Sequence, residues 1–179
     1  MKRLALTALI ATCAGLWPIS GAQAAQDWDA CAMLLKADVD AAFAPRVFEP
    51  GVPGHENAKS SSKLADLSSC TYSSPGATAK NRLSVTLLAR RSPDDASSVT
   101  PQTAKEGAVK LNGVPTDVTG LGEGAYWVNL GSSSFPVIQL NVFRGKRQWF
   151  VISAATKAID TNTALAGLTK LAKTMTARK

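Results

Sequence analysis

A chain of 179 residues is long enough for one domain with a sizeable core, and 45% hydrophobic against 18% charged residues excludes a disordered polymer. The net charge of +7 is moderately basic. It favours acidic surfaces slightly and by itself supports no nucleic-acid function.

Residues 1–24 read as a secretory signal peptide. Lys2 and Arg3 make a basic start, residues 4–16 an apolar stretch, and Ala22-Gln23-Ala24 a small-residue cleavage site. The apolar stretch is too short for a good membrane span, and Gly15 and Pro18 interrupt it. No later segment offers the ~20 apolar residues that a transmembrane helix needs. Cys13 raises the alternative of a lipid anchor. The preceding Leu9-Ile10-Ala11-Thr12 matches a lipobox only loosely, because Thr12 stands where a smaller residue is usual, so cleavage near Ala24 and soluble export is the preferred reading. The mature chain, residues 25–179, is then a single periplasmic or secreted domain. Without Lys2 and Arg3, 18 basic residues face 13 acidic ones and the net charge falls to +5. Only Cys31 and Cys70 are kept, and two cysteines in an oxidising compartment most often pair. Metal binding is the weaker alternative, since two thiols and one distant histidine make a poor ligand set.

Residues 25–44 look helical, in two short pieces, with Asp27 or Asp29 as a cap. Leu34, Leu35, Val39 and Phe43 recur near helical spacing. Residues 46–62 form a connector rich in Pro, Gly and Ser. Residues 67–73 read as a strand with Cys70 and Tyr72 on one face, and Ser74-Pro75-Gly76 as a turn. Residues 82–89 alternate as a second strand, closed by Arg90 and Arg91. Ser92-Pro93-Asp94-Asp95 predicts a helix start, with Ser92 as N-cap, an interruption at Pro101 and an end at Asn112-Gly113. The glycines of Gly120-Leu121-Gly122-Glu123-Gly124 predict a turn or bulge feeding residues 125–128 into a sheet. Their spacing is neither a dinucleotide fingerprint nor a P-loop. Residues 160–176 read as a closing helix with Leu165, Leu168, Leu171, Ala172 and Met175 as its apolar stripe and cations near its end.

The strongest local signal is the hairpin over residues 137–153. Apolar and polar residues alternate across 138–142, and Gly145-Lys146 predicts a two-residue turn with glycine where positive φ is needed. That register sets Arg144 opposite Arg147, Val142 opposite Trp149 and Leu140 opposite Val151. It predicts a core face of Ile138, Leu140, Val142, Trp149 and Val151. A hairpin alone is marginally stable, so other strands must complete the sheet.

Chemistry-bearing residues are sparse. Asp38 and Asp40 sit two apart, do not share a helix face, and read as a solvated face and not a catalytic pair. His55, the only histidine, lies in the connector and reads as a solvated side chain. Ser60-Ser61-Ser62 lacks the strand–turn–helix context of a nucleophile elbow. No catalytic, cofactor or metal site is expected. The cations Arg144, Lys146 and Arg147 converge at the hairpin tip, and Arg90 and Arg91 extend them if their strand ends at the same edge. Like charges set opposite one another do not help a sheet fold. Such a tip either discourages edge-to-edge aggregation or meets an acidic surface, which the planar fork of arginine suits.

Several of these features occur together: Cys31-Ala32-Met33-Leu34-Leu35 on a short helix, Cys70-Thr71-Tyr72 on a strand, Gly120 to Trp127, a hairpin and a closing helix. This pattern resembles an uncharacterised family of small secreted lipoproteins of actinobacterial type, whose domain is similar to the PsbP-like fold. The resemblance covers most of the mature chain through short motifs. It implies an antiparallel sheet flanked by helices, a Cys31–Cys70 disulfide and a non-enzymatic domain, and it carries no catalytic residues over. The chain departs from it in lacking a good lipobox.

The expected architecture is α+β, an antiparallel sheet of five or six strands with helices packed against it. The expected function is an exported, non-catalytic binding module for a protein or an anionic cell-envelope component. An inhibitor or immunity-type protein that blocks another exported enzyme is the alternative. An enzyme, such as a hydrolase, lacks chemistry here: one loop histidine, no clustered acids and no motif-borne nucleophile.

Overall fold

The computed structural model describes residues 28–54, 66–76, 78 and 81–178. The leader with Cys13, and Asp27, His55, Ser60, Ser61 and Ser62, lie outside the described residues. In chain order the elements are α1 (Ala30–Met33), α2 (Lys36–Ala42), β1 (Val52–Gly54), β2 (Asp66–Ser73), β3 (Ser84–Arg91), α3 (Pro101–Lys110), β4 (Thr116–Asp117), β5 (Gly124–Asn129), β6 (Val137–Arg144), β7 (Gln148–Ala155) and α4 (Thr161–Ala177). The seven strands form one sheet in the order β1-β2-β3-β7-β6-β5-β4. Every neighbouring pair is antiparallel.

One side of the sheet carries α1, α2 and α4. Alternation sends Cys70 and Tyr72 of β2, Val85, Leu87 and Ala89 of β3, Ile138, Leu140 and Val142 of β6, and Phe150, Ile152 and Ala154 of β7 to that side. Ala164, Leu168, Leu171, Ala172 and Met175 of α4 close over them at helical spacing. Gly167 lets Phe43, the residue that ends α2, approach, for a Cβ there would stand 2.6 Å from the Phe43 Cζ. Each fully buried Leu or Ile in this layer contributes about 1.5–3 kcal/mol of transfer free energy.

The first helix has four residues and no independent stability. A local cap and two tertiary bonds hold it. The Asp29 carboxylate accepts from the Cys31 N–H at 2.8 Å, and the Ala30 N–H donates to Ser68 Oγ at 2.9 Å. The Tyr72 hydroxyl donates to the Leu34 carbonyl. Cys31 and Cys70 form a disulfide with their Cα atoms 5.1 Å apart.

The sheet departs from the sequence expectations in three places. It has seven strands, because β1 falls in the expected connector and β4 has only two residues. No helix starts at Ser92. Its N–H donates to the Arg147 carbonyl at 2.9 Å and its hydroxyl to Ser97 O at 3.2 Å, so it is spent on a turn. The helix begins instead at Pro101, whose missing N–H suits a first turn, with the Thr100 hydroxyl accepting from the Thr103 N–H at 3.1 Å.

The third departure is the hairpin register. Residues 145–147 form a three-residue loop, with Gly145 at φ +60°. Arg144 therefore pairs with Gln148, Phe143 with Trp149, Val142 with Phe150 and Leu140 with Ile152. One residue of slip moves the whole of β7 to the opposite face. Phe150, Ile152 and Ala154 enter the main core, and Trp149 and Val151 leave it. Two apolar sets interleave in β7, so alternation alone fits either register; the loop length decides.

Candidate binding surface

Among the described residues, the other side of the sheet is covered only in part. Ala104 and Ala108 of α3 pack on Tyr126, Val128 and Phe143, with Val99, Leu130 and Trp149 around them. Three rings run across β5, β6 and β7. Tyr126 and Phe143 stack at 6.4 Å, and Phe143 and Trp149 at 5.8 Å with 7° between planes. Burial pushes the Tyr126 phenol up to about 12. Asn141, 2% exposed, lies among them. Its Oδ1 accepts from the Trp149 indole N–H at 3.1 Å, and its Nδ2 has no partner among the described residues.

Trp149 is the last ring of this stack and is half-buried. Beyond it, the outward side chains of β2, β3 and β7 are set by register. Leu67, Arg90 and Trp149 form one row; Ser69, Leu88 and Val151 the next. Then come Thr71, Thr86, Ser153 and Gln139, and after them Ser73, Ser84 and Ala155. The Thr71 and Thr86 hydroxyls lie 3.0 Å apart. The surface thus has an apolar end around Arg90 and a hydroxyl-rich end. These outward positions on β2, β3 and β7 carry no carboxylate.

Arg90 has Leu67, Leu88 and Trp149 as its nearest outward neighbours. Its Nε is shielded from solvent without an acceptor among the described residues. An unsatisfied buried donor costs about 1–3 kcal/mol, and one on a charged group more.

The five cations singled out in the sequence sit at one end of the sheet, but not on one surface. Asp66, Arg91, Gln148 and Arg144 are one register row, and by alternation this row belongs to the helix-covered side. Arg91 pairs with Asp66 at 2.7 Å and lies 5.0 Å from the centre of the Trp28 ring. Arg90 belongs to the open side. Lys146 and Arg147 are in the loop, 3.6 and 3.9 Å from Asp95, and Arg147 also donates to the Pro93 carbonyl at 3.0 Å. Asp94, beside them, is held below the usual carboxylate range by the Ser97 N–H and hydroxyl, with the Arg147 charge adding to this. Folding therefore does use two of the tip cations: Lys146 and Arg147 tie the hairpin to the segment leading into α3. Arg144 is exposed, with no carboxylate within 4.0 Å among the described residues.

The expected non-catalytic carboxylates have structural partners. Arg178 reaches Asp38 with both terminal nitrogens, at 2.6 and 2.7 Å. Asp40 accepts from Lys36 at 2.5 Å and from the Phe48 N–H at 2.8 Å, and the Lys36 bond foremost holds its carboxyl below the usual range. A cleft of about 460 Å³ lies between α2 and the start of α4, lined by Phe43, Pro45, Ile159 and Thr163. Arg46 at its wall is committed to the Ala158 carbonyl at 3.0 Å. No helix among the described residues is long and apolar enough to cross a membrane.

No family model, curated protein or solved structure matches this chain.

Arg90 with Trp149 is the pairing that sequence reasoning missed. The sequence reading makes Arg90 the close of its strand and puts Trp149 in the core. The signal that could have found it is Leu88, which interrupts the otherwise polar outward set Ser84, Thr86 and Arg90 on β3 and faces Val151, next to Trp149, on β7.

Proposed function

We propose that the protein is an exported, non-catalytic binding module for an anionic component of the cell envelope, bound at the open face of its sheet. The observation that carries this reading is Arg90: a guanidinium whose shielded Nε has no acceptor among the described residues, set in an apolar rim beside a half-buried Trp149 and a field of hydroxyls. A carboxylate or phosphate fits its planar donor fork. Export, with cleavage near Ala24 and a mature start at Ala25, is part of the proposal, as is the PsbP-like reading of the sheet and helices. Neither a catalytic group nor a cofactor is needed.

The test is co-sedimentation of the mature protein with protein-free envelope polysaccharide at low and high salt. Retention at low salt that falls as salt rises is expected, because screening shortens to ~8 Å at physiological ionic strength. Protein that stays in the supernatant at low salt overturns the reading. Intact mass of the exported form checks the leader, and a lipid-modified Cys13 contradicts the cleavage site.

A further inference from the structure

Resting on that reading, we infer that the open face takes a carboxylate-bearing glycan, laid along β3 and β7 from Arg90 and Trp149 to Thr86 and Ser153. The two strands run side by side over this length, about 14 Å at ~3.4 Å per residue. The face changes along it from an apolar, cationic end to a row of hydroxyls, which fits a glycan whose carboxylate-bearing sugar sits at Arg90.

At one end Arg90 stands directly across from Trp149. One indole face is occupied by Phe143, in a stack with 7° between planes. The indole body is held further by its N–H bond to Asn141. A rigid, partly open ring of this kind is a platform: its negative π face attracts the positively polarised C–H groups on the flat side of a pyranose. The neighbouring guanidinium supplies the charge partner for that sugar's carboxylate. Leu67, Leu88 and Val151 exclude water around it, which strengthens the ionic contact. Further along, Thr86, Ser153, Thr71 and Gln139 present donors and acceptors in one cross-strand row. Ser153 and Gln139 have no side-chain hydrogen bond among the described residues, so both are available to sugar hydroxyls.

Charge complementarity selects the acidic sugar over a neutral one. The face carries Arg90 and no carboxylate on the outward positions of β2, β3 and β7, in a mature chain whose 18 basic residues outnumber its 13 acidic ones. An acidic protein patch would satisfy Arg90 equally, but it has no use for a stacking platform that leads into a hydroxyl row.

The experiment measures binding of three probes by titration calorimetry: an oligogalacturonate, the same oligomer methyl-esterified, and polyglutamate. The first retains sugar and charge, the second sugar alone, the third charge alone. The oligogalacturonate is expected to bind, and the other two at least about tenfold more weakly, as loss of one charged hydrogen-bond partner implies. Arg90→Gln is expected to weaken oligogalacturonate about tenfold or more. A Thr86→Val, Ser153→Ala double variant, which leaves the core untouched, is expected to weaken it about fivefold. The triple change of Arg144, Lys146 and Arg147 to Ser is expected to leave it within about twofold. Polyglutamate binding as tightly as oligogalacturonate overturns the inference, and so does oligogalacturonate binding that Arg90→Gln does not weaken. Oligogalacturonate failing to bind while envelope polysaccharide still retains the protein overturns this inference alone. Failure of both overturns the proposed function as well.

Discussion

Replacing both Cys31 and Cys70 by alanine is expected to remove about 4 kcal/mol of stability, since closure entropy for a loop of this size is ~13 cal/mol/K in the chain-entropy model. The two residues are 39 apart in sequence, and the loop they close runs from within α1 through α2 and β1 into β2. Nothing inside that loop is stable by itself. One helix has four residues and the other seven, and β1 has three. Without the bond these pieces are gathered onto the sheet by the burial of Leu34, Val39, Phe43 and Phe48, by the Asp38–Arg178 pair and by the Ser68 and Tyr72 hydrogen bonds, each hydrogen bond contributing about 0.5–1.5 kcal/mol net. Cys70 is fully buried, so alanine avoids adding a polar group there. Urea unfolding of the oxidised protein and the double variant measures the difference. For a domain of this size the loss corresponds to a fall in Tm of about 8–16 °C. A double variant within about 1 kcal/mol of the wild type would refute the reasoning. It would mean that the unfolded chain already keeps α1 against β2, so that the bond removes little entropy from it.

The hairpin register is tested by pairs of substitutions on opposite faces: Phe150→Ala is expected to cost about 3–5 kcal/mol through its cavity, and Ser153→Ala to stay within about 0.5 kcal/mol. A mild Phe150→Ala in thermal unfolding would favour the two-residue turn. Trp149→Phe keeps a ring against Phe143 but takes the donor from Asn141, and is expected to cost about 1–3 kcal/mol. Gly167→Ala would ordinarily stabilise a helix by about 1 kcal/mol. Here it is expected to destabilise, because the new Cβ meets Phe43, and a rise in Tm would contradict the close packing of α2 on α4. Burial raises both phenols above their ordinary 10.0, Tyr126 to about 12 and Tyr72 by burial first and then by the charges of Asp38 and Asp29. A raised phenol stays protonated in the folded state while the unfolded one ionises. Its contribution is full below pH 10.0, the ordinary value, and is lost as pH rises toward about 12. Phenolate absorbance of the native protein showing either tyrosine near its ordinary value would contradict this.

The fold class was legible because β2, β3, β6 and α4 each carry one unambiguous period. Cys70 and Tyr72 share a face, Val85, Leu87 and Ala89 share one, and α4 has one buried stripe. The edge strands were not legible, since β1 is Val52-Pro53-Gly54 and β4 a dipeptide, paired through backbone bonds that leave no pattern in side chains. The β7 face was misread for a different reason. Trp149, Phe150, Val151 and Ile152 are apolar in succession, so the period gives no phase. Phase came from the turn, and a three-residue loop beginning with glycine was mistaken for a two-residue one. The candidate site depended on that phase. With Trp149 placed in the core, Arg90 had no visible partner, and the tip cations stood out instead. Asp94 and Asp95, the acids that engage them, had been assigned to the start of a helix.

Two-dimensional NMR of the mature protein during an oligogalacturonate titration locates the contact residue by residue. The predicted result is that the Trp149 indole N–H, the Arg90 side chain and the backbone amides of Leu88, Val151, Thr86 and Ser153 shift together. Arg91 and Arg144 on the other side of the sheet, and the residues of α4, would keep their positions. Shifts confined to Arg144, Lys146 and Arg147, with Trp149 and Thr86 unmoved, would contradict it and return the contact to the hairpin tip.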